Sequence, residues 1–210
     1  MYLSQILLDP ANRRVQSELS NRYELHRTLT AQFPTNQRSD ISLLYRLEMP
    51  DRQMYQPITL LVQTALEPDW SELAKTALLI DSPRVKTFNP DLPAGARFYF
   101  RLVANPTMRT KHADGKSRRV GLLGAEAQKE WFQRKAQQGG FIVESLEIQN
   151  LGMLESIKKK NNLTYQITHS AVQFEGILRV TDQQKFKTTL VKGIGSAKAF
   201  GFGLLSLAKY

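Results

Sequence analysis

SLLYRLE (42–48) and ITLLVQTAL (58–66) are consecutive strand-like runs with a polar connection and no helical pattern between them. Two adjoining strands flanked by helices form the middle of a strand-helix-strand-strand-helix-strand unit, so the stretches on either side decide the fold. Upstream, Asn21 stands at a good N-cap with Glu24 three residues on, and Leu25, Leu29 and Phe33 make one apolar stripe that Pro34 closes. That pattern predicts a short amphipathic helix. Before it, YLSQILL (2–8) predicts a strand stopped by Pro10, with Val15 and Leu19 at helical spacing in between. Downstream, PDWSELAKTALLI (68–80) predicts a proline-initiated helix, and VKTFN (85–89) a final short strand.

The order repeats after NPDLPAG (89–95), which reads as a linker. RFYFRLVANP is a strand in which Phe98, Phe100 and Leu102 alternate with Tyr99, Arg101 and Val103 until Pro106 closes it. A helix over roughly 124–137 carries Trp131 on its apolar side. GFIVESLEI, a basic hairpin around IKKKNNLTY, VQFEGILRV, a helix from Asp182 to Lys192 and the strand GLLSLA complete the half. The repeat is one of topology and not of sequence identity. The fold expected is α+β: two tandem ferredoxin-like (RRM-like) domains, residues 1–88 and 96–210, joined by 89–95.

Composition narrows the partners. The chain has 210 residues with 41% hydrophobic content, enough for one sizeable core or two small ones, and 29 Lys and Arg against 19 Asp and Glu give a formal charge of +10. A polyanion is the implied partner, with nucleic acid ahead of an anionic membrane surface, because neutralising phosphates releases counterions. The absence of cysteine removes disulfides and thiolate metal sites and fits the cytoplasm. The apolar run Leu3–Leu8 is too short for a signal-peptide core, and no run approaches the roughly 20 apolar residues of a membrane helix. Histidines at 26, 112 and 169 belong to no local metal motif, so chemistry without a metal or cofactor is expected.

Three features can carry function. The first is GIGSAKAFGFG (193–203), in which Gly193, Gly195, Gly201 and Gly203 form two G-x-G pairs around Lys198. Glycine permits positive φ and close approach of a phosphodiester to backbone N–H groups, and Lys198 adds charge. The run is neither a Walker loop nor a dinucleotide fingerprint. A tight helix-to-strand connection is the plainer use of such a run. The second is Arg22-Tyr23-Glu24-Leu25-His26-Arg27, where Tyr23 and His26 share a helical face. Cleaving RNA without a metal needs one group to take the 2′-hydroxyl proton and one to protonate the departing 5′-oxygen. Histidine suits either role, and tyrosine is a poorer base but a competent donor. Arg22 or Arg27 can stabilise a phosphate there. A His beside a Tyr on such a helix is also an ordinary structural pair. The third is Lys158-Lys159-Lys160-Asn161-Asn162, which reads as a basic hairpin tip or a solvated turn. RTKHADGKSRR (109–119), with five Lys or Arg and one His against one acid, reads as a mobile electrostatic loop that clamps a partner, or as disordered surface. Phe98, Tyr99 and Phe100 are assigned mainly to the core.

Together these segments resemble the CRISPR repeat-processing endoribonucleases, of the CasE kind found in type I-E systems. The glycine run matches that family's G-x-G-x5-G-x-G with GLLSLA following it, and MYLSQILL, RYELHRTL, FRLVANP and FEGILRV stand in the family's order, so the resemblance spans the chain. It implies two ferredoxin-like domains and Tyr23 and His26 as the catalytic pair. It also implies 2′,3′-cyclic phosphate and 5′-hydroxyl products, and Lys158 and Lys160 near the cleavage site. The partners implied are CRISPR precursor RNA, the retained guide-RNA hairpin and the Cascade subunits. A non-catalytic RNA-binding scaffold subunit is the alternative, and a basic DNA-binding or membrane-surface protein lacks the recognition-helix and amphipathic motifs it would need.

Overall fold

The computed structural model describes residues 1–38, 40–49, 56–111, 115, 117–160 and 163–210, and the side chains of 37, 111, 158–160 and 163–165 fall outside that description. Two compact units result. One comprises Met1–Pro90 with Glu155–Ile167 and Lys198–Gly201, and the other Asp91–Leu154, Thr168–Ala197 and Phe202–Tyr210. The break after Pro90 lies within the stretch expected to link two domains, while two short pieces of the second half group with the first unit. Residues 91–95 are no free tether: Leu92 is buried, and Gly95 donates its N–H to the Val180 carbonyl at 2.8 Å.

In the first unit, β1 (Tyr2–Leu8), α1 (Arg13–Ser20), α2 (Arg22–Thr30), β2 (Leu44–Glu48), β3 (Ile58–Thr64), α3 (Ser71–Ala74) and β4 (Arg84–Thr87) follow in order. The sheet runs β2-β3-β1-β4 with every pair antiparallel. Alternation sets its register: Ile6 faces Leu60, Leu8 faces Ile58 and Tyr45 faces Val62. One face therefore presents Ile6, Leu8, Tyr45, Leu47, Ile58, Leu60 and Val62 to Val15, Leu25 and Leu29 of the two helices. A slip of one residue would turn this whole set to the opposite face, so burial itself pins the register. Asn12 caps α1 by accepting the N–H groups of Arg14 and Val15, which extends the expected single turn to a full helix.

The expected helix over 68–80 shrinks to the four residues of α3. Asp69 accepts the Ser71 N–H at 2.9 Å and starts the turn. The following Leu78-Leu79-Ile80 is drawn instead to the end of β1, where Asp9 N–H meets the Leu78 carbonyl and Ile80 N–H the Leu7 carbonyl, both at 2.9 Å. An available strand edge outcompetes helix propensity for an apolar run this short.

The second half of the chain repeats the plan with β5 (Arg97–Ala104), α4 (Ala125–Gln138), β8 (Phe141–Lys160), β9 (Leu163–Val180), α5 (Gln183–Lys192) and β10 (Leu205–Lys209), of which the 155–167 ends of β8 and β9 group with the first unit. Its sheet order, β10-β5-β9-β8, places first, second, third and fourth strands as β1 to β4 are placed in the other sheet. Each sheet thus has the ferredoxin-like order. Between β5 and α4 the chain adds a two-stranded hairpin, β6 (Thr107–Lys111) and β7 (Ser117–Gly121). The core is aromatic: Phe132 stacks on Phe174 at 4.8 Å between centroids and contacts Phe100 and Phe141, while Trp131 stacks on Phe174 at 5.9 Å. Such offset pairs add to the burial of large apolar surfaces.

Candidate active site

α2 starts at Arg22, directly after Asn21, so Tyr23 and His26 occupy its first two turns at i and i+3 and share a face. Leu25 and Leu29 face the core and fix the helix's rotation. The His26 ring is half buried, 6.4 Å from the ring of Tyr45 between centroids. That burial lowers its pKa below the ordinary histidine value of 6.5, which favours the neutral imidazole at neutral pH. A neutral imidazole can accept a proton. Tyr23 lies against Phe200, with ring centroids 6.0 Å apart.

Arg22 is largely withdrawn from water, and desolvation pulls its guanidinium below the ordinary arginine range, opposed by the nearby Tyr45. It stays cationic at neutral pH. Its Nε is buried with no hydrogen-bond partner among the described residues, a costly arrangement that an arriving phosphate oxygen would relieve. Arg27 differs, being exposed and paired with Glu24 at 3.0 Å. An exposed pair is worth little and exchanges readily for another anion.

The glycine run lies in the helix-to-strand connection between α5 and β10, the plainer of the two uses expected of it. Gly193 ends α5 with φ +71° and donates its N–H to the Thr189 carbonyl at 2.8 Å. Gly201 N–H bonds the Lys198 carbonyl and Gly203 N–H the Val103 carbonyl. These three N–H groups are thus engaged within the fold. Close approach explains the residue type: a Cβ on Gly203 would stand 2.8 Å from the Ile194 carbonyl oxygen, and one on Gly195 3.2 Å from the Trp131 ring. On Gly201 it would stand 2.9 Å from Tyr45. The run's middle, a 3-10 turn at Lys198–Phe200, packs on α2. Tyr45, fully buried, fastens the two: its hydroxyl lies 2.8 Å from the Arg22 carbonyl and 3.1 Å from the Ala199 carbonyl, donating to both in a shared bond. Burial accordingly pushes the Tyr45 hydroxyl far above the ordinary tyrosine pKa.

Lys158 and Lys160 are the last residues of β8 by backbone, while their side chains, and all of Asn161 and Asn162, lie outside the described residues. The stretch read as a mobile loop over 109–119 is instead the β6–β7 hairpin, in which Arg109 stands directly opposite Arg119 and Thr110 opposite Arg118. Its tip, including His112, lies outside the described residues. His169 sits in β9 beside Asn105, Nδ1 to the amide nitrogen 2.9 Å, with Phe202 edge-on at 5.8 Å, and burial lowers its pKa. Among the described residues no three His, Asp or Glu side chains gather as metal ligands, and no helix is long and apolar enough to cross a membrane.

Sequence reasoning gave Asn21 only a capping role and did not single out Tyr45. Asn21 stands where a cap was expected, yet its side chain makes no cap hydrogen bond. Tyr45 was visible only as one residue of the strand-like run SLLYRLE. Phe200 likewise gave no signal beyond its place in the glycine run.

A family model described as CRISPR associated protein matches residues 1–209. The CRISPR-associated endoribonuclease Cse3 of Thermus thermophilus is 39% identical over 217 residues, covering 99% of this chain and all of that protein. The CRISPR system Cascade subunit CasE of Escherichia coli is 29% identical over 216 residues, covering 99% of each. Among solved structures, Cse3 bound to a 19-nucleotide RNA superposes with a TM-score of 0.85 at 37% identity, covering 99% of this chain and all of that one.

Proposed function

Because this chain belongs to the CRISPR-associated protein family, we propose that it is an endoribonuclease that binds the stem-loop of CRISPR repeat RNA, cuts at the stem's 3′ base and keeps the product hairpin. The observation that carries this reading is α2, which presents Tyr23 and a half-buried, neutral-leaning His26 beside Arg22, a cation whose Nε has no hydrogen-bond partner among the described residues. The name and full-length match of the Thermus relative support the same activity, and the RNA-bound form of Cse3 supports the substrate class.

In the proposed reaction the neutral imidazole of His26 accepts the 2′-hydroxyl proton. The 2′-oxygen attacks phosphorus, the bond to the 5′-oxygen breaks, and Tyr23 gives its proton to the leaving oxygen. The products are a 2′,3′-cyclic phosphate and a 5′-hydroxyl, with no metal taking part. Arg22 balances the charge that builds on the phosphate, and Arg27 exchanges Glu24 for a backbone phosphate. Lys158 and Lys160, which the family resemblance puts near the cleavage site, are the further RNA contacts proposed. Gly193, Gly195, Gly201 and Gly203 contribute by shaping the turn that carries Lys198. The β6–β7 hairpin adds a basic surface suited to the backbone of an A-form stem. Product retention fits a subunit of a Cascade assembly, a partnership that the name of the Escherichia coli relative supports, and the proposed place of action is the cytoplasm.

The test is incubation of the protein with a repeat stem-loop in EDTA, beside the same RNA carrying a 2′-deoxy sugar just upstream of the cut. The proposal expects cleavage of the first RNA only. Cleavage of the deoxy substrate would reject 2′-hydroxyl attack, and tight binding without cleavage of either would make the protein a scaffold.

A further inference from the structure

β8 is the outer strand of its sheet, and an outer strand leaves the N–H and C=O of alternate residues without a ladder partner. At Ile157 both of these groups are taken by one side chain. Asn21 Nδ2 donates to the Ile157 carbonyl at 3.0 Å, and the Ile157 N–H donates to Asn21 Oδ1 at 3.3 Å. A carboxamide holds a donor and an acceptor side by side, as a peptide group does, so it can close this two-way bond where a carboxylate, which only accepts, cannot. The backbone of the same residue joins two helices: Asn21 N–H bonds the Ser17 carbonyl at the end of α1, and its carbonyl accepts the Glu24 N–H at 2.9 Å at the start of α2. The side chain forgoes the usual cap of its own helix to reach β8.

We infer that Asn21 is a positioning residue for cleavage, a latch that sets the register between the catalytic helix and the lysine run of the β8–β9 hairpin. The latch stands two residues before Tyr23 and five before His26 on one side, and one residue before Lys158 on the other. A hydrogen-bonded pair here fixes the backbone that carries the lysines against the backbone that carries the acid and base. Loss of the latch lets these parts settle without the alignment that the reaction requires, while the charge that draws RNA is unchanged. The inference rests on the nuclease reading for its catalytic consequence and on geometry alone for the contact.

The experiment compares the full-length wild type with Asn21→Ala and Asn21→Asp. Asparagine to aspartate keeps the acceptor and improves helix capping and dipole complementarity, but removes the donor, so a merely helix-stabilising role would leave it intact. With protein in excess over the repeat stem-loop, both variants are expected to cut at saturation at least about tenfold more slowly. Asn21→Ala is expected to keep its dissociation constant within about threefold. Amide exchange in the RNA-free protein reads the latch without any cleavage, and the Ile157 amide should exchange about tenfold faster in Asn21→Ala. Wild-type saturating rates in both variants would overturn the inference. So would wild-type exchange at Ile157 in Asn21→Ala, whatever the RNA does. A wild type that fails to cut while Ile157 exchange still responds would sink the nuclease reading and leave the latch standing.

Discussion

Replacing Gly201 by alanine separates a glycine run built for packing from one built to cradle phosphate. The residue has φ +84°, a region that costs an L-residue about 1–2 kcal/mol. The added methyl would lie 2.9 Å from Cε2 of Tyr45 and 3.4 Å from Cδ2 and Cζ. That ring cannot simply retreat, because it is fully buried and its hydroxyl is held by the Arg22 and Ala199 carbonyls. Forcing a methyl into such a site adds about 1–3 kcal/mol. The sum, about 2–5 kcal/mol, is a large part of the stability of an ordinary domain. Gly115→Ala is the control, since Gly115 has φ +73° and, its chain neighbours aside, no atom of the described residues within 4 Å of the added methyl, so that it bears only the backbone cost. Urea unfolding with linear extrapolation, run on both variants, should show Gly201→Ala the less stable by about 1–3 kcal/mol. Equal stabilities would refute the packing argument. A stable Gly201→Ala with weakened RNA binding would return the run to a direct phosphate role.

Tyr45→Phe removes only the shared hydroxyl, and should cost about 1–2 kcal/mol in urea unfolding with a lowered saturating cleavage rate. The pH dependence follows from the lowered pKa values of His26 and His169. Below about 6.5 the unfolded chain binds protons that the folded imidazoles resist, so stability is full above that pH and falls as pH drops through the folded values, as urea midpoints from pH 7.5 to 5 should register. If His26 acts as the base, the single-turnover rate should climb through the same acidic window and level near neutrality, whereas a rate falling from pH 5 to 7 would assign it the acid role. Arg119→Ala in the exposed β6–β7 hairpin should weaken binding alike for all stem sequences and reduce the salt slope by about one unit.

The parts that were legible from the amino acids were those governed by short-range pattern. The run YLSQILL, closed by Pro10, located β1 at Tyr2–Leu8, and the 25-29-33 stripe located α2, because both patterns are short-range. Residues 78–80 were misread because an apolar triplet suits a helix or a strand edge equally, and only the exposed end of β1 settles which one forms. The 109–119 stretch looked unstructured because like charges repel, yet its register pairs Arg109 with Arg119. At the site, the side chains proposed to act on substrate carry a chemical signature, and Tyr23 and His26 were singled out by residue type and spacing together with the family resemblance. Those that hold the substrate-facing groups in place do not. Asn21 bonds across 136 positions to Ile157, and Tyr45 across 154 to Ala199, partnerships that no local window contains.

The central claim is a division of labour, with the cutting chemistry on α2 and the affinity on the basic surfaces. His26→Ala tests it most directly when binding and single-turnover cleavage of the same repeat stem-loop are measured on one preparation. The account predicts cleavage reduced by at least about a hundredfold with binding nearly unchanged. Cleavage at the wild-type rate, or loss of binding by a folded protein, would contradict it.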